Sequence, residues 1–471
     1  MLRTALLILS GNSLGSLLGL VRSVVVARLI SVEDFGIAAT FMLSLSVVEM
    51  ISALGLQQQI VQHEDGDKPY FQSTLQGLQV MRALPTSALL FFLAEPIAAF
   101  FDIPHVAWAF QVMALAPLMN GLGHLDPHRM KRRMHYRPFI VISVMSMLIS
   151  LLMVWPLSMA FGDYRVMLFA VLTQSMAAFV ISHLVAERPY RWSLNGAVIR
   201  TSLQFGWPIL LNAILLFMVF NGERVIVGRE LGMEALAVFS MAFTLVLSPT
   251  LVMEGSAQSF FLPQLSAARG NTERFTHLAM ATLQCHLVFG AIILVGVALL
   301  GGPVVHLLLG EKYAAAVPIL TWLAVMQGIR VAKGGSSTAT LAHAFTENGL
   351  VASLMRVALL PIAWYITATG GDLEHVIWLG ILGELFGYIA GLMLARFRLQ
   401  MSLKPLFPVI AATAFMFLIG MLHAYGQSDP GLPHLSPIWT GGALIAMFGL
   451  VMVAAKDLRL YVKRRVMTVQ A

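Results

Sequence analysis

Six basic residues sit inside strongly apolar stretches of this 471-residue chain: Arg22, Arg82, Arg224, Arg330, Lys333 and Arg356. At the centre of a membrane-spanning helix each costs roughly 2.5 to 3.5 kcal/mol to insert. Six together cost about 15 to 20 kcal/mol, more than a marginally stable fold absorbs. They must therefore face water or partners inside a helical bundle. Cations gathered in a membrane interior point to an anionic cargo.

Spacing refines this reading. Gln76, Gln79, Arg82 and Thr86 recur at helical intervals, as do Gln327, Arg330, Lys333, Ser337 and Thr340. Each set makes one polar stripe on an apolar helix. Arg330 and Lys333 are like-charged neighbours and repel. A structural seam more often pairs opposite signs, so these two are expected to face an aqueous, anion-attracting cavity. Arg356 sits about two turns in from the cytoplasmic side of its span and is expected to reach the same cavity. Arg22 follows the small face Gly11, Gly15, Gly19 and is expected to point into the bundle, with snorkelling to the outer surface as the alternative. The acids of these stretches are Glu49, Glu223, Glu254 and Glu384. Each is either a fixed counter-ion for an arginine or a group that exchanges a proton or Na⁺ during transport. The excess of arginines favours the counter-ion. Asn221 and Arg224 share a helix face, Asn212 and Glu223 another, and Thr250, Glu254 and Gln258 form a short stripe.

The elements that hold these residues follow from composition. The chain is 58% hydrophobic and 11% charged, with mean hydropathy +0.81, against about 25% charged residues in soluble domains. This is an all-α polytopic membrane protein. Apolar windows predict about fourteen spans, at 4–28, 35–56, 72–95, 104–124, 138–160, 164–185, 203–226, 235–258, 277–300, 314–341, 348–369, 374–395, 405–425 and 438–455. The run behind Arg3 leads into further spans and reads as an uncleaved first helix. Prolines 85, 117, 156, 208, 249, 318, 361 and 408 fall inside spans, where neighbouring helices satisfy the freed carbonyls.

The net charge of +7 reflects orientation, with no nucleic acid implied. Basic residues of the 128–133, 188–200, 269–274 and 396–404 loops and of the tail, with Arg3 and Lys68, sum to about 20, against about 4 in the alternate loops. Both termini are expected in the cytoplasm. The acidic loop Glu64-Asp65-Gly66-Asp67 fits this side less well, although acids count little in the rule. A weak internal repeat relates Val25–Glu33 to Ile226–Glu234, about six helices apart, which predicts halves related by an axis along the membrane normal.

Several patterns carry no chemistry. Gly11-Asn12-Ser13-Leu14-Gly15 lacks the strand that a nucleophile elbow needs. Asp65-Gly66-Asp67 has no glycosyltransferase domain around it, and Lys333-Gly334-Gly335-Ser336 has its lysine on the wrong side of the glycines for a phosphate loop. The histidines lack metal spacing, and the single cysteine, Cys285, excludes an internal disulfide. No metal, cofactor or ATPase is implied. Active transport would draw on a gradient, the membrane potential, a partner, or consumption of the product.

The chain resembles a known family. Val26–Gly36 (VARLISVEDFG) is similar to the end of helix 1 in polysaccharide repeat-unit flippases of the multidrug/oligosaccharidyl-lipid/polysaccharide exporter superfamily. Ala53-Leu54-Gly55-Leu56, the basic loop Arg129–Arg137 with Pro138-Phe139, Asn221–Arg229 and Leu308–Tyr313 resemble further elements of that family in the same order, with Glu223 where aspartate is usual. The matches span residues 1 to about 320, and later helices contribute topology alone.

The resemblance implies two six-helix bundles in a pseudo-two-fold V, at 1–200 and 201–400, with two peripheral helices and a basic cytoplasmic tail at 401–471. It implies a flippase, not an enzyme, working by alternating access in the inner (cytoplasmic) membrane for exopolysaccharide or lipopolysaccharide biosynthesis. Its cargo would be undecaprenyl-diphosphate-linked oligosaccharide, with membrane lipid and a polysaccharide polymerase as partners. The six cations would bind the diphosphate. A cation-coupled multidrug exporter of the same superfamily is the alternative, and a membrane polysaccharide polymerase or lipid-sugar transferase ranks below it. The exporter predicts an acidic cavity, against six bases and four acids here.

Overall fold

The computed structural model describes residues 2–51, 54–428 and 437–470, and every regular element among them is a helix. Expectations placed on Arg3, Gly11, Ala53, Pro208, Arg464 and Arg465 fall outside the residues whose side chains are described. The chain divides into two compact units, Met1–Ala237 and Val238–Ala471.

The first unit holds α1 (Leu2–Leu29), α2 (Val32–Ile51), α3 (Leu56–Gln62), α4 (Pro69–Phe92), α5 (Ala94–Phe100), α6 (Ala107–Met113), α7 (Leu115–Leu122), α8 (Asp126–Arg132), α9 (Arg137–Ala160), α10 (Arg165–Leu184) and α11 (Gly196–Glu230). Its α11 packs on α2 and α4. The resemblance counts that segment with the second bundle. Periodicity fixes a helix but does not name its neighbours. The glycine face of α1 meets α9: a Cβ on Gly15 would lie 3.2 Å from Ser143 Oγ, and one on Gly19 3.4 Å from Met147.

The helix α12 (Gly232–Ala267) begins in the first unit and runs into the second. There follow α13 (Thr272–Leu308), α14 (Ala316–Leu341), α15 (Glu347–Val357), α16 (Leu360–Ala368), α17 (Leu373–Leu399), α18 (Phe407–Ser428), α19 (Pro437–Ala454) and α20 (Lys456–Gln470). The most enclosed element is α14, wrapped by α13, α17 and α18. Gly290 and Gly328 let α13 and α14 touch backbone to backbone, since a Cβ on Gly290 would stand 2.6 Å from the Gly328 carbonyl oxygen. Small residues at a crossing are how membrane helices gain close packing without a hydrophobic driving force.

Among the described residues, eight helices are long and apolar enough to cross a membrane, or ten if two bent pairs each count as one span. The expected fourteen is not reached on this measure. The expected spans 4–28, 35–56, 314–341 and 438–455 correspond to α1, α2, α14 and α19 and are not among the eight; α1, α2 and α19 each include residues whose side chains lie outside the described set. Glu33, Asp34 and Glu49 lie in α2, and Arg330 and Lys333 interrupt α14. The expected span 72–95 is bent by 49° between α4 and α5, and the helical run 104–122 bends by 48° into α8. Pro85 stays inside α4, whereas Pro361 opens α16 after a break in the expected span 348–369.

Candidate functional site

The second unit brings three of the six cations onto one carboxylate. Arg330 and Lys333 come from α14, Arg356 from the last turn of α15, and Glu384 from the middle of α17. Arg330 Nε and Lys333 Nζ each donate to Glu384 at 2.7 Å, one to each oxygen, and Arg356 Nη1 also donates to Oε1. Glu384 is fully buried, Arg330 and Arg356 nearly so, and the Lys333 side chain keeps 12% of its surface exposed. The Arg330 guanidinium also lies 5.7 Å from the centre of the Phe243 ring, a cation–π distance.

Glycines make this convergence feasible. A Cβ on Gly383 would lie 3.2 Å from the Arg356 carbonyl oxygen, one on Gly387 2.6 Å from that of Ala352, and one on Gly391 2.8 Å from Ser336 Oγ. The spacing Gly383, Gly387, Gly391 thus seats α17 on α15 and α14, with Glu384 at the seam. Reading Gly380–Gly391 as a small-residue face would have found this seam from sequence. Glu254 of α12 lies within electrostatic range of Lys333 and Glu384. Gln327, one turn before Arg330, is fully buried with neither amide atom hydrogen-bonded among the described residues.

The other cations lie in the first unit. Arg22 is buried and donates to Ser150 Oγ at 2.9 Å and to Gln174 Oε1, on α9 and α10. Arg224 donates to Asn221 Oδ1 at 3.4 Å and interacts electrostatically with buried Glu223. Arg82 and Glu49 interact electrostatically and line a cleft of 460 Å³ together with Gln79, Thr86, Asn120 and His124. Asn120 Nδ2 donates to Glu49 Oε1 at 3.0 Å.

The stripe on α4 has a structural half. Where α7 gives way to α8, the carbonyls of Asn120, Gly121 and Gly123 leave the helical ladder. Gln76 Nε2 donates to Gly123 at 2.9 Å, and Gln79 Nε2 donates to Gly121 at 3.0 Å. Helix ends inside a membrane protein require such donors. Of the α4 stripe, Gln79, Arg82 and Thr86 line the cleft, and the Thr86 hydroxyl bonds back to the Arg82 carbonyl oxygen.

Sequence reasoning missed a cluster at the end of this unit. Buried Arg129 donates to Asp126 and Glu187, at 2.6 and 2.8 Å. Asp67 accepts from Arg133 at 2.5 Å and lies 3.6 Å from Arg129. The acidic loop that fitted the charge rule poorly is thus the partner of the basic loop. The Arg133 guanidinium holds the Asp67 carboxyl below the usual aspartate range.

Comparison with known proteins places these features. A family model described as "Polysaccharide biosynthesis protein" matches residues 25–318, more than half of the chain. The chain belongs to this family. It is 26% identical over 426 residues to the succinoglycan biosynthesis transport protein ExoT of Rhizobium meliloti (strain 1021), covering 86% of this chain and 83% of ExoT. It is 20% identical over 396 residues to the teichuronic acid biosynthesis protein TuaB of Bacillus subtilis (strain 168), covering 81% and 79%. Among solved structures, the lipid II flippase MurJ in an inward closed conformation superposes with TM-score 0.70 at 14% identity, covering 98% of this chain and all of MurJ. An inward-facing multidrug resistance transporter of the MATE family gives 0.66 at 13%, covering 82% and 94%. These likenesses establish the fold. The family match ends before Arg330, so the cluster on Glu384 is read from this chain's own geometry.

Proposed function

We propose that this chain is a flippase that moves an undecaprenyl-diphosphate-linked oligosaccharide repeat unit across the cytoplasmic membrane for polysaccharide biosynthesis. Family membership supports the polysaccharide pathway, and the relative ExoT bears the name of a transport protein. The observation that carries the cargo is the convergence of Arg330, Lys333 and Arg356 on Glu384. Three cations share one bound carboxylate, so the cluster keeps an excess of positive charge inside the membrane protein.

A diphosphate suits such a site, because charge-assisted hydrogen bonds from guanidinium and ammonium groups are short and strong. Lys333, the most exposed of the three, is the group placed to meet an incoming phosphate first. The lipid tail stays in the bilayer while the sugar crosses. An exporter of cationic drugs would place excess acid here, which is the reverse of what these residues supply. In this reading Arg22, Arg82 and Arg224 are further diphosphate ligands along the path, the termini are cytoplasmic, and the protein performs transport without catalysis.

The test uses purified protein in liposomes with a short-chain fluorescent polyprenyl-diphosphate sugar in the inner leaflet. A membrane-impermeant probe follows its arrival outside. Movement by the wild type that is lost in Arg330→Ala/Lys333→Ala supports the reading. Absence of movement by the wild type, with or without an imposed pH or Na⁺ gradient, overturns it.

A further inference from the structure

Lys333-Gly334-Gly335-Ser336 is no phosphate loop, and the structure gives its glycines another role. A Cβ on Gly334 would stand 3.0 Å from Glu254 Oε1 of α12 and 3.1 Å from His286 Cδ2 of α13. One on Gly335 would lie 3.1 Å from the Leu283 backbone. The missing side chains bring a carboxyl group and an imidazole edge to one point beside Lys333.

His286 is fully buried, and its Nδ1 lies 2.8 Å from the Thr282 carbonyl oxygen. A carbonyl only accepts, so Nδ1 carries the ring hydrogen and Nε2 presents a lone pair. Nε2 is bonded to Cδ2, the atom nearest the Gly334 locus. It is buried and has no hydrogen-bond partner among the described residues.

The surrounding charges are those of the cluster. Lys333 and Glu384 lie within electrostatic range of Glu254, and Arg330 and Arg356 are bound to Glu384. Asp457 of α20 is taken by Gln284 and His277 of α13, whose positions lie across that helix from His286.

We propose that Glu254 and His286 form a buried proton-binding site that sets the charge of the cluster. One proton, taken from water and returned to it, is carried by the Glu254 carboxylate or by His286 Nε2 beside it. With Glu254 ionised, three cations face two carboxylates and leave one positive charge. With the proton bound, three face one and leave two. Lys333 then stays on Glu384, whereas an ionised Glu254 competes for it. A proton fits better than Na⁺, because the site offers one carboxylate and one ring nitrogen where a hard cation needs several oxygens. Proton uptake and diphosphate binding favour each other, and by linkage the effect is reciprocal. This deepens the flippase reading and rests on it for the role in transport, while the proton site stands on its own geometry.

Infrared difference spectroscopy on the purified full chain, titrated through neutral pH, tests the site without any ligand. A carboxylic-acid C=O band that titrates in the wild type, is lost in Glu254→Gln and moves in His286→Gln supports it. Absence of such a band, or its persistence in Glu254→Gln, overturns it. Should Glu254→Gln not be recovered as monodisperse protein, an unmoved band in His286→Gln overturns it equally. A second arm adds the short-chain polyprenyl-diphosphate sugar in weak buffer with a pH dye. Proton uptake on binding, lost in Glu254→Gln, supports the coupling, and binding without uptake overturns the coupling. A wild type that neither binds nor moves the sugar refutes the flippase reading, and the infrared arm then decides the proton site by itself.

Discussion

Lys333 of α14 reaches Glu384 of α17 with its Nζ 2.7 Å from Oε2, while Arg330, one turn earlier, binds the other oxygen. The like-charged neighbours of the sequence therefore do not simply repel. A single buried carboxylate on another helix holds both, together with Arg356.

Removing that carboxylate leaves three cations packed together. Glu384→Gln is expected to cost about 3–5 kcal/mol, the range for breaking a buried ion pair by deleting one partner. The double variant Glu384→Gln/Arg356→Gln should recover part of the loss. Thermal unfolding of detergent-purified protein measures both, and an unchanged midpoint for Glu384→Gln would contradict the account.

Removing one cation is milder for the fold and severe for transport. Arg330→Ala and Lys333→Ala each leave Glu384 two partners, so insertion and purification should be retained. Transport should fall by about 10- to 100-fold, the equivalent of a charged hydrogen bond worth roughly 1.5–3 kcal/mol. Glu at either position should be worse than Ala, because it repels the diphosphate. Rates from the liposome assay decide this, and a charge-removed pair that flips at the wild-type rate defeats the cationic site.

The glycine crossings are expected to be intolerant at named positions only. Gly290→Ala would place its Cβ 2.6 Å from the Gly328 carbonyl oxygen, and Gly387→Ala 2.6 Å from that of Ala352. Overpacking of this kind costs about 1–3 kcal/mol. Gly442→Ala meets nothing within 4 Å and should leave the melting temperature unmoved or raise it slightly. Equal destabilisation at all three would show that the close crossings at Gly290 and Gly387 do not decide the outcome, since helix propensity alone favours alanine.

The loop cluster predicts a pH dependence. Arg133 depresses the folded-state pKa of Asp67, so the unfolded chain binds its proton first as pH falls. The contribution is complete above the unfolded value of about 3.9 and is lost as pH drops through the folded one. Asp67→Asn should be less stable than wild type at neutral pH, and the gap should narrow in acid. Melting temperatures at neutral and acid pH for both proteins measure this. A gap of constant size would assign the loss to something other than charge.

The sequence by itself determined the class of molecule: apolar windows of spanning length leave helices as the way to satisfy the backbone in a bilayer. It also picked out Arg330, Lys333, Arg356 and Glu384, because charges in such windows are too costly to be incidental. It placed Gly15 and Gly19 of α1 on a packed face, which meets α9. Tertiary structure alone decided which acid serves which base. Periodicity reports the face of one helix, whereas pairing depends on how α14, α15 and α17 are rotated against each other, and that is set by Gly383, Gly387 and Gly391 along their seam. For the same reason the sequence placed Gln76 and Gln79 on a polar stripe, and only folding showed that they cap carbonyls freed where α7 ends. The acidic loop at Asp67 gained its meaning only when folding set it against Arg129 and Arg133.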